Sequence, residues 1–170
     1  RIISLGRNLN KSRSESESLV KSFNHAARSM KGLTGEDLQK SAEAFSKSLG
    51  TTAVVSMSTS EELAVQTKYL GLSEESANKL ALYTESTGID AKKFGNQLRG
   101  QVMASNALNK TALRYQDITE DVASASASIK LSMTGTGKNI VQASIAAKNL
   151  GMNLGTIEKI SDSLLNFESS

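Results

Sequence analysis

The sequence contains no proline, no cysteine and no tryptophan, and aromatic residues make up only 4% of its 170 positions. Because proline interrupts helix interiors, its absence permits long uninterrupted helices. The lack of cysteine excludes disulfides and thiolate metal sites, and the single histidine, His25, excludes any site that needs two. With so few aromatic side chains, a core must be built from small and branched aliphatic residues, which suits close helix–helix packing. The composition therefore favours an all-α protein, either elongated or oligomeric.

Long apolar runs are also missing. No stretch of about 18 apolar residues occurs, so the sequence predicts no membrane-spanning helix. The chain begins at Arg1 and shows no signal-peptide pattern. We expect it to be a piece of a longer protein or a processed product.

The positive charge is concentrated at the beginning of the chain. Through Lys31 there are seven basic residues against two acidic ones, whereas the remainder holds 13 basic and 15 acidic residues. A basic leading segment can meet nucleic acid or an acidic protein wall, or it can simply be a solvated helix face. We favour the solvated face, and we expect no nucleic-acid contact in this segment.

A short pattern of glycine, apolar residue and capping residue recurs along the chain. Glycine readily adopts the left-handed conformation that ends a helix, and a following Ser, Thr, Asp or Asn can cap the next one. The pattern is clearest in Leu70–Glu75, where acidic residues also occupy the first turn of the new helix. It occurs at Gly32-Leu33-Thr34, Gly71-Leu72-Ser73, Gly88-Ile89-Asp90 and Gly151-Met152-Asn153. These positions predict helices joined by short hinges.

Apolar residues at helical spacing place the helices between these hinges. The predicted helices cover about 14–31, 34–49, 58–70, 74–86, 90–133, 140–150 and 154–167. Residues 1–11 are predicted to be an extended or frayed lead-in, and residues 51–57 a linker. The corresponding division is 1–31 (basic lead-in and first helix), 32–89 (short helices with hinges) and 90–170 (a long helix followed by helix–hinge–helix).

The long helix over about 90–133 is the most distinctive of these predictions. Apolar residues keep close to a 3.5-residue spacing from Leu108 to Ile129, with one slip at Ile118. At about 1.5 Å per residue such a helix spans roughly 60 Å, a length typical of rods and coiled coils. We therefore predict an elongated or coiled-coil-like fold.

No pattern in the sequence predicts catalysis. Gly135-Thr136-Gly137-Lys138 lacks the earlier glycine and the following Ser or Thr of a phosphate-binding loop, so we predict a turn. The acidic pairs Glu36-Asp37, Glu61-Glu62 and Glu74-Glu75 each lie in a predicted first helical turn, where carboxylates favour the exposed N–H groups. His25 has no nearby carboxylate, and the serines at positions 124, 126 and 128 lack a base. We predict no catalytic, cofactor-binding or metal-binding residue, no cofactor and no enzymatic activity.

The second half of the chain resembles a known family. The segments that carry the likeness are Ala112–Val122, Ile129–Leu131, Ala146–Met152 and Ser163–Glu168. They resemble tail tape measure proteins of tailed bacteriophages, in which helical modules that end in Leu-Gly and a capping residue are common. The resemblance covers roughly residues 68–170.

This resemblance implies a structural role in the virion. Members of the family extend as helices inside the tail tube, set its length during assembly, and leave ahead of the genome at infection. The implied partners are other copies of the chain (a trimer or hexamer), tail tube or tail-tip and hub proteins, and, for the full-length protein, the host envelope. The implied location is the tail interior or tail tip, with no small-molecule substrate.

Two other classes stay open. Ala/Ser-rich heptads also fit a bacterial signalling or adhesin-type coiled coil, although the glycine hinges count against a sustained repeat. An enzyme on a helical scaffold would need clustered polar groups in a pocket, and the sequence offers no such cluster.

Overall fold

The structure is a computed structural model that describes residues 6–52, 55–125, 127–133 and 137–168. Within these ranges every regular element is helical and no β-strand is present, so the all-α prediction is confirmed. The helices are α1 Arg13–Ala27, α2 Gly35–Ser48, α3 Met57–Lys68, α4 Glu74–Thr87, α5 Ala91–Asn109, α6 Tyr115–Ser124, α7 Ala127–Ser132, α8 Lys138–Asn149 and α9 Leu154–Glu168. Residues 6–8 form a further helical turn.

The chain forms two compact units, Arg1–Ala81 and Leu82–Ser170, and the boundary falls within α4. These units follow packing, whereas the division into 1–31, 32–89 and 90–170 followed charge and helix length. The three-part division stays a prediction.

The first unit is built around three mutually packed helices, α1, α2 and α3. Its core contains Phe23 from α1, Leu38 and Ala42 from α2, and Ala64 from α3, all of them buried. Phe23 of α1 and Leu38 and Ala42 of α2 lie on apolar stripes of helical spacing, and these stripes form the buried faces of the two helices. Burial of a leucine or phenylalanine side chain contributes roughly 1.5–3 kcal/mol, so tertiary packing stabilises these short helices more than propensity does.

The second unit packs α5, α6 and α8 against one another, and α9 contacts α6 and α8. Fully buried core residues come from each of these helices: Phe94, Leu98, Ile118, Val122, Ile140 and Leu154. The Phe94 ring meets the ring of Tyr83, on the second half of α4, edge to face with centroids 5.6 Å apart. This is a favourable aromatic geometry. Burial raises the pKa of the Tyr83 hydroxyl.

The four glycine–apolar–cap segments form sharp turns between consecutive helices. Gly32, Gly71, Gly88 and Gly151 all have positive φ. At Gly151 the Met152 N–H donates to the Ala147 carbonyl at 2.8 Å, and the Asn153 side chain accepts from the Thr156 N–H at 2.8 Å. One helix is thereby closed and the next capped within three residues.

The predicted single helix over 90–133 is wrong, because three helices, α5, α6 and α7, occupy this range. Lys110 ends α5 in a left-handed conformation, with φ 52° and ψ 35°. The Asn106 side chain then holds the following loop: it accepts from the Leu113 N–H at 2.9 Å and donates to the Leu113 carbonyl at 2.8 Å. Asparagine side chains compete with backbone hydrogen bonds in this way, which favours turns over continued helix. The slip in spacing at Ile118 lies just beyond this break.

The prediction that residues 1–11 are extended or frayed is also wrong for residues 6–11, the part that the structure describes. Residues 6–8 are helical, and Leu9 is 1% exposed. The Lys11 N–H donates to the Gly6 carbonyl at 2.9 Å, which closes this turn before α1 begins. The buried side chain of Leu9 therefore holds a segment whose weak periodicity predicted an extended or frayed chain.

Some predictions fall on positions outside the described residues. These are residues 1–5 of the lead-in, residues 53 and 54 of the linker, Ser126, and residues 135 and 136 of the glycine-rich turn.

Candidate functional site

Within the described part of the chain, the acidic pairs that the sequence singled out lie on three different helices. The acidic pairs at 36–37 and 74–75 lie in the first turns of α2 and α4, as predicted. Glu61 and Glu62 lie one turn further into α3, and Glu62 is buried, with its carboxylate accepting from the Gln66 amide at 3.1 Å. The prediction that this pair lies in the first turn of α3 was therefore wrong by one turn, because the helix begins earlier and is capped by Ser56.

The remaining residues that the sequence singled out lie at different elements of the fold. His25 is exposed in the last turn of α1. The Ser128 hydroxyl donates to the Glu158 carboxylate at 2.7 Å, which links α7 to α9. Gly137 adopts φ 75° immediately before α8. Among the described residues no group of three or more His, Cys, Asp or Glu side chains has the arrangement of a metal site, and no helix is both long and apolar enough to cross a membrane.

A groove of about 270 Å³ lies on the first unit. Its floor is apolar, with Leu63 and Ala64, and its rim carries Asp37 and Lys68. The Lys68 ammonium donates to the Asp37 carboxylate at 2.8 Å, and the same oxygen accepts from the Thr34 N–H and hydroxyl at 2.8 and 2.7 Å. These bonds stabilise the ionised carboxylate and lower the pKa of Asp37 to about 2. The ion pair between Asp37 and Lys68 therefore links α2 to α3.

This ion pair should make stability depend on pH. Because the pKa of Asp37 is about 2 in the folded chain against 3.8 for an ordinary aspartate, its contribution is fully present above pH 3.8 and is lost as the pH falls toward 2. We expect Asp37→Asn to lower the melting temperature at pH 6 and to have little effect near pH 2, as measured by circular dichroism. Glu36→Gln, which removes the neighbouring pair with Lys40, is the matched control for an exposed helical pair. If Asp37→Asn lowered the melting temperature by as much at pH 2 as at pH 6, the stabilisation would not come from the ionised carboxylate of Asp37.

The second unit holds another open groove of about 270 Å³, lined by acidic residues of α6 and by Lys148. Asp117 receives two hydrogen bonds from Arg114, at 2.7 and 3.0 Å, which lower the pKa of its carboxyl group. Asp121, 8% exposed, accepts from the Ser144 hydroxyl at 2.6 Å and from the Leu154 N–H at 2.9 Å. The buried carboxylate of α6 thus holds α8 and the first turn of α9. Its role is structural.

Two helices of the second unit each carry an exposed apolar face among the described residues. The first, called here the α5 face, consists of Gly100, Met103, Ala104, Ala107 and Leu108. All five are exposed, with Met103 at 72% and Leu108 at 82%. Their spacing puts them on one side of the helix, opposite the buried Leu98 and Val102. An apolar helix face of this width is normally covered by another element.

The second feature, called here the α9 stripe, consists of Ile157, Ile160 and Leu164. These side chains are 38%, 49% and 63% exposed, although their spacing is that of a helix-packing seam. Every residue from 159 to 164 is exposed. Helices shorter than about 12–15 residues are marginal in isolation, so the stripe gains stability when a partner covers it.

Sequence reasoning identified the α9 stripe as apolar but did not show that it is exposed. It placed Leu108 on the seam of the long helix, and the structure instead leaves that side chain in solvent. The spacing of apolar residues along a helix does not show whether the helix that covers them belongs to the same chain. Comparison with protein-family models, curated proteins and solved structures gives no match for this chain.

Proposed function

We propose that the chain is a structural virion protein of the tail tape measure type, which acts by packing its helices against other protein chains. The observation that carries the proposal is the pair of exposed apolar faces on α5 and α9. The resemblance of residues 68–170 to tape measure proteins supports the same role, since both faces lie within that range.

The polar side chains of the grooves also favour a structural role. Asp37 and Asp121 are engaged by groups of neighbouring helices, and Asp117 is engaged by Arg114 at the start of its own helix. We therefore propose no enzymatic activity and no small-molecule substrate or cofactor.

The proposed partners are other copies of the chain, as a trimer or hexamer, and proteins of the tail tube, tail tip or hub. In the assembled state the exposed faces pack in an elongated, coiled-coil-like arrangement inside the tail or at its tip. The same proposal includes three further roles. The protein sets the tail length, leaves ahead of the genome, and as the full-length protein contacts the host envelope.

The location of the chain tests this proposal directly. Antibodies raised against the chain are used for immunogold electron microscopy of purified particles and of the producing cells. We expect label at one end of phage tails, and quantitative mass spectrometry should give three or six copies per particle. Label confined to the bacterial envelope, with none on particles, would overturn the tail assignment and favour the signalling or adhesin-type coiled coil.

A further inference from the structure

We infer that the α9 stripe is the docking surface of a further helical unit, and that a helix following α9 in the same polypeptide covers it. The occupant is an amphipathic helix with bulky apolar side chains at helical spacing, as α5 has in Phe94 and Leu98. This assignment rests on an internal repeat of the fold and is independent of the proposed function.

The chain repeats one turn between helices at a spacing of 80 residues. The segments Lys68-Tyr69-Leu70-Gly71-Leu72 and Lys148-Asn149-Leu150-Gly151-Met152 share lysine, leucine and glycine at the same three positions. Gly71 has φ 65° and Gly151 has φ 75°, so both take the left-handed conformation that ends a helix. The two turns therefore stop α3 and α8 in the same way.

The helices that follow these turns are capped at equivalent positions. The Ser73 hydroxyl accepts from the Ser76 N–H at 3.1 Å, and the Asn153 side chain accepts from the Thr156 N–H at 2.8 Å. Helices α4 and α9 accordingly begin 80 residues apart and have similar lengths, 14 and 15 residues. Helix α9 is therefore the counterpart of α4.

Equivalent positions in the two helices differ sharply in burial. On α4, Ala77, Leu80 and Thr84 are 0%, 1% and 2% exposed. Their counterparts on α9 are the three residues of the α9 stripe, which are 38%, 49% and 63% exposed. The α9 residues are bulkier and more apolar than those of α4 at the first and third positions, so composition gives no reason for this face to lie in solvent. The face that is buried in α4 is thus exposed in α9.

The second half of α4 indicates what covers such a face. Helix α4 begins in the first unit, and from Leu82 onward it belongs to the second. There Tyr83 is 3% exposed, and its ring meets that of Phe94 on α5, the helix that follows α4 in the chain. On α9 the residue equivalent to Tyr83 is Ser163, which is exposed. By this repeat, the side chains that cover α9 come from the next helix of the polypeptide.

The size of the exposed surface also favours an occupant in the same polypeptide. A stable interface between separate chains contributes about 20–30 residues a side. The exposed part of α9 offers seven, residue 157 and residues 159–164. A segment joined to α9 by a short turn needs less area, because the covalent link already holds it at a high effective concentration. The α5 face is then the surface left for other chains in the proposed function.

Hydrogen exchange tests this packing in the 170-residue chain and in the natural polypeptide purified from its source. In the 170-residue chain we expect the amides of residues 160–166 to exchange at least about tenfold faster than those of residues 80–86 in α4. In the natural polypeptide they should slow by at least about tenfold. The slowing should persist on dilution, because its cause is intramolecular.

Single substitutions identify the covered face. Ile160→Glu in the natural polypeptide should return the exchange of residues 160–166 to the rate in the 170-residue chain, because a buried carboxylate opposes docking. In the 170-residue chain, where Ile160 is 49% exposed, the same change should leave the melting temperature unaltered. Lys159→Glu is the matched control, since Lys159 and its counterpart Lys79 are both exposed and lie outside the stripe. It should keep exchange within about twofold of wild type.

Several results would overturn the docking. One is a natural polypeptide in which residues 160–166 exchange at the same rate as in the 170-residue chain, and another is a natural polypeptide with no helix after α9. A slowing that disappears on dilution would assign the stripe to a second copy instead. If Lys159→Glu acted as strongly as Ile160→Glu, the covered face would not be the stripe. None of these results decides the tail assignment, which the immunogold location tests separately.

Discussion

Replacing Asp121 with alanine is expected to lower the free energy of unfolding by about 2–4 kcal/mol, because two buried donors lose their acceptor. The Asp121 carboxylate accepts from the Ser144 hydroxyl on α8 and from the backbone N–H of Leu154, the first residue of α9. Without it, the first turn of α9 loses a cap that comes from another helix. Urea unfolding followed by circular dichroism measures the loss, and hydrogen exchange at the Leu154 amide locates it.

The neighbouring residue provides the control. Glu120 is exposed, one position earlier on α6, and Glu120→Ala should change stability by no more than about 0.5 kcal/mol, as is usual for surface sites. Asp121→Asn keeps the side chain's shape and one acceptor, so its loss should be intermediate. Equal effects of Asp121→Ala and Glu120→Ala would show that the interhelical bonds contribute nothing to stability.

Gly137→Ala is the second substitution for which we expect a large effect, a loss of about 2–4 kcal/mol from backbone strain and overpacking together. Gly137 has φ 75°, which side-chain-bearing residues rarely adopt. A Cβ at this position would also lie 2.5 Å from Cε2 of the buried Phe94 ring. Both the turn before α8 and the packing of α8 on α5 would have to shift. Thermal and urea unfolding measure the change.

Gly151→Ala separates these two causes. Gly151 has the same φ of 75°, but nothing lies within 4 Å of the position of its Cβ. Gly151→Ala should therefore lower the free energy of unfolding through backbone strain alone, by about 1–2 kcal/mol. In a Phe94→Leu background, where the ring is smaller, Gly137→Ala should cost less than in wild type, which a double-mutant cycle detects. Equal losses at Gly137 and Gly151, with no coupling to Phe94, would contradict the steric explanation.

The breaks within residues 90–133 show where sequence reasoning fails. The spacing of apolar residues continues almost unbroken from Leu108 to Ile129, so it predicts one helix. The break at Lys110 depends on the Asn106 side chain, which bonds to residues that follow it by five and seven positions. Asparagine occurs in both helices and loops, so the presence of Asn106 did not predict the break. The packing of Ile118 and Val122 in the second core then decides the direction of α6.

The sequence alone determined that this chain is helical and where most of its helices begin and end. Capping side chains and glycine turns act within a single helical turn, so local residues such as Thr34, Asp90 and Gly151 specify them. Only the tertiary structure decided which apolar stripes are covered. Leu38 and Ile160 both belong to stripes of helical spacing, yet one is buried in the first core and the other lies in solvent. Burial depends on which distant helix packs against a stripe, and the link from Asp121 to Leu154, 33 residues away, is of the same long-range kind.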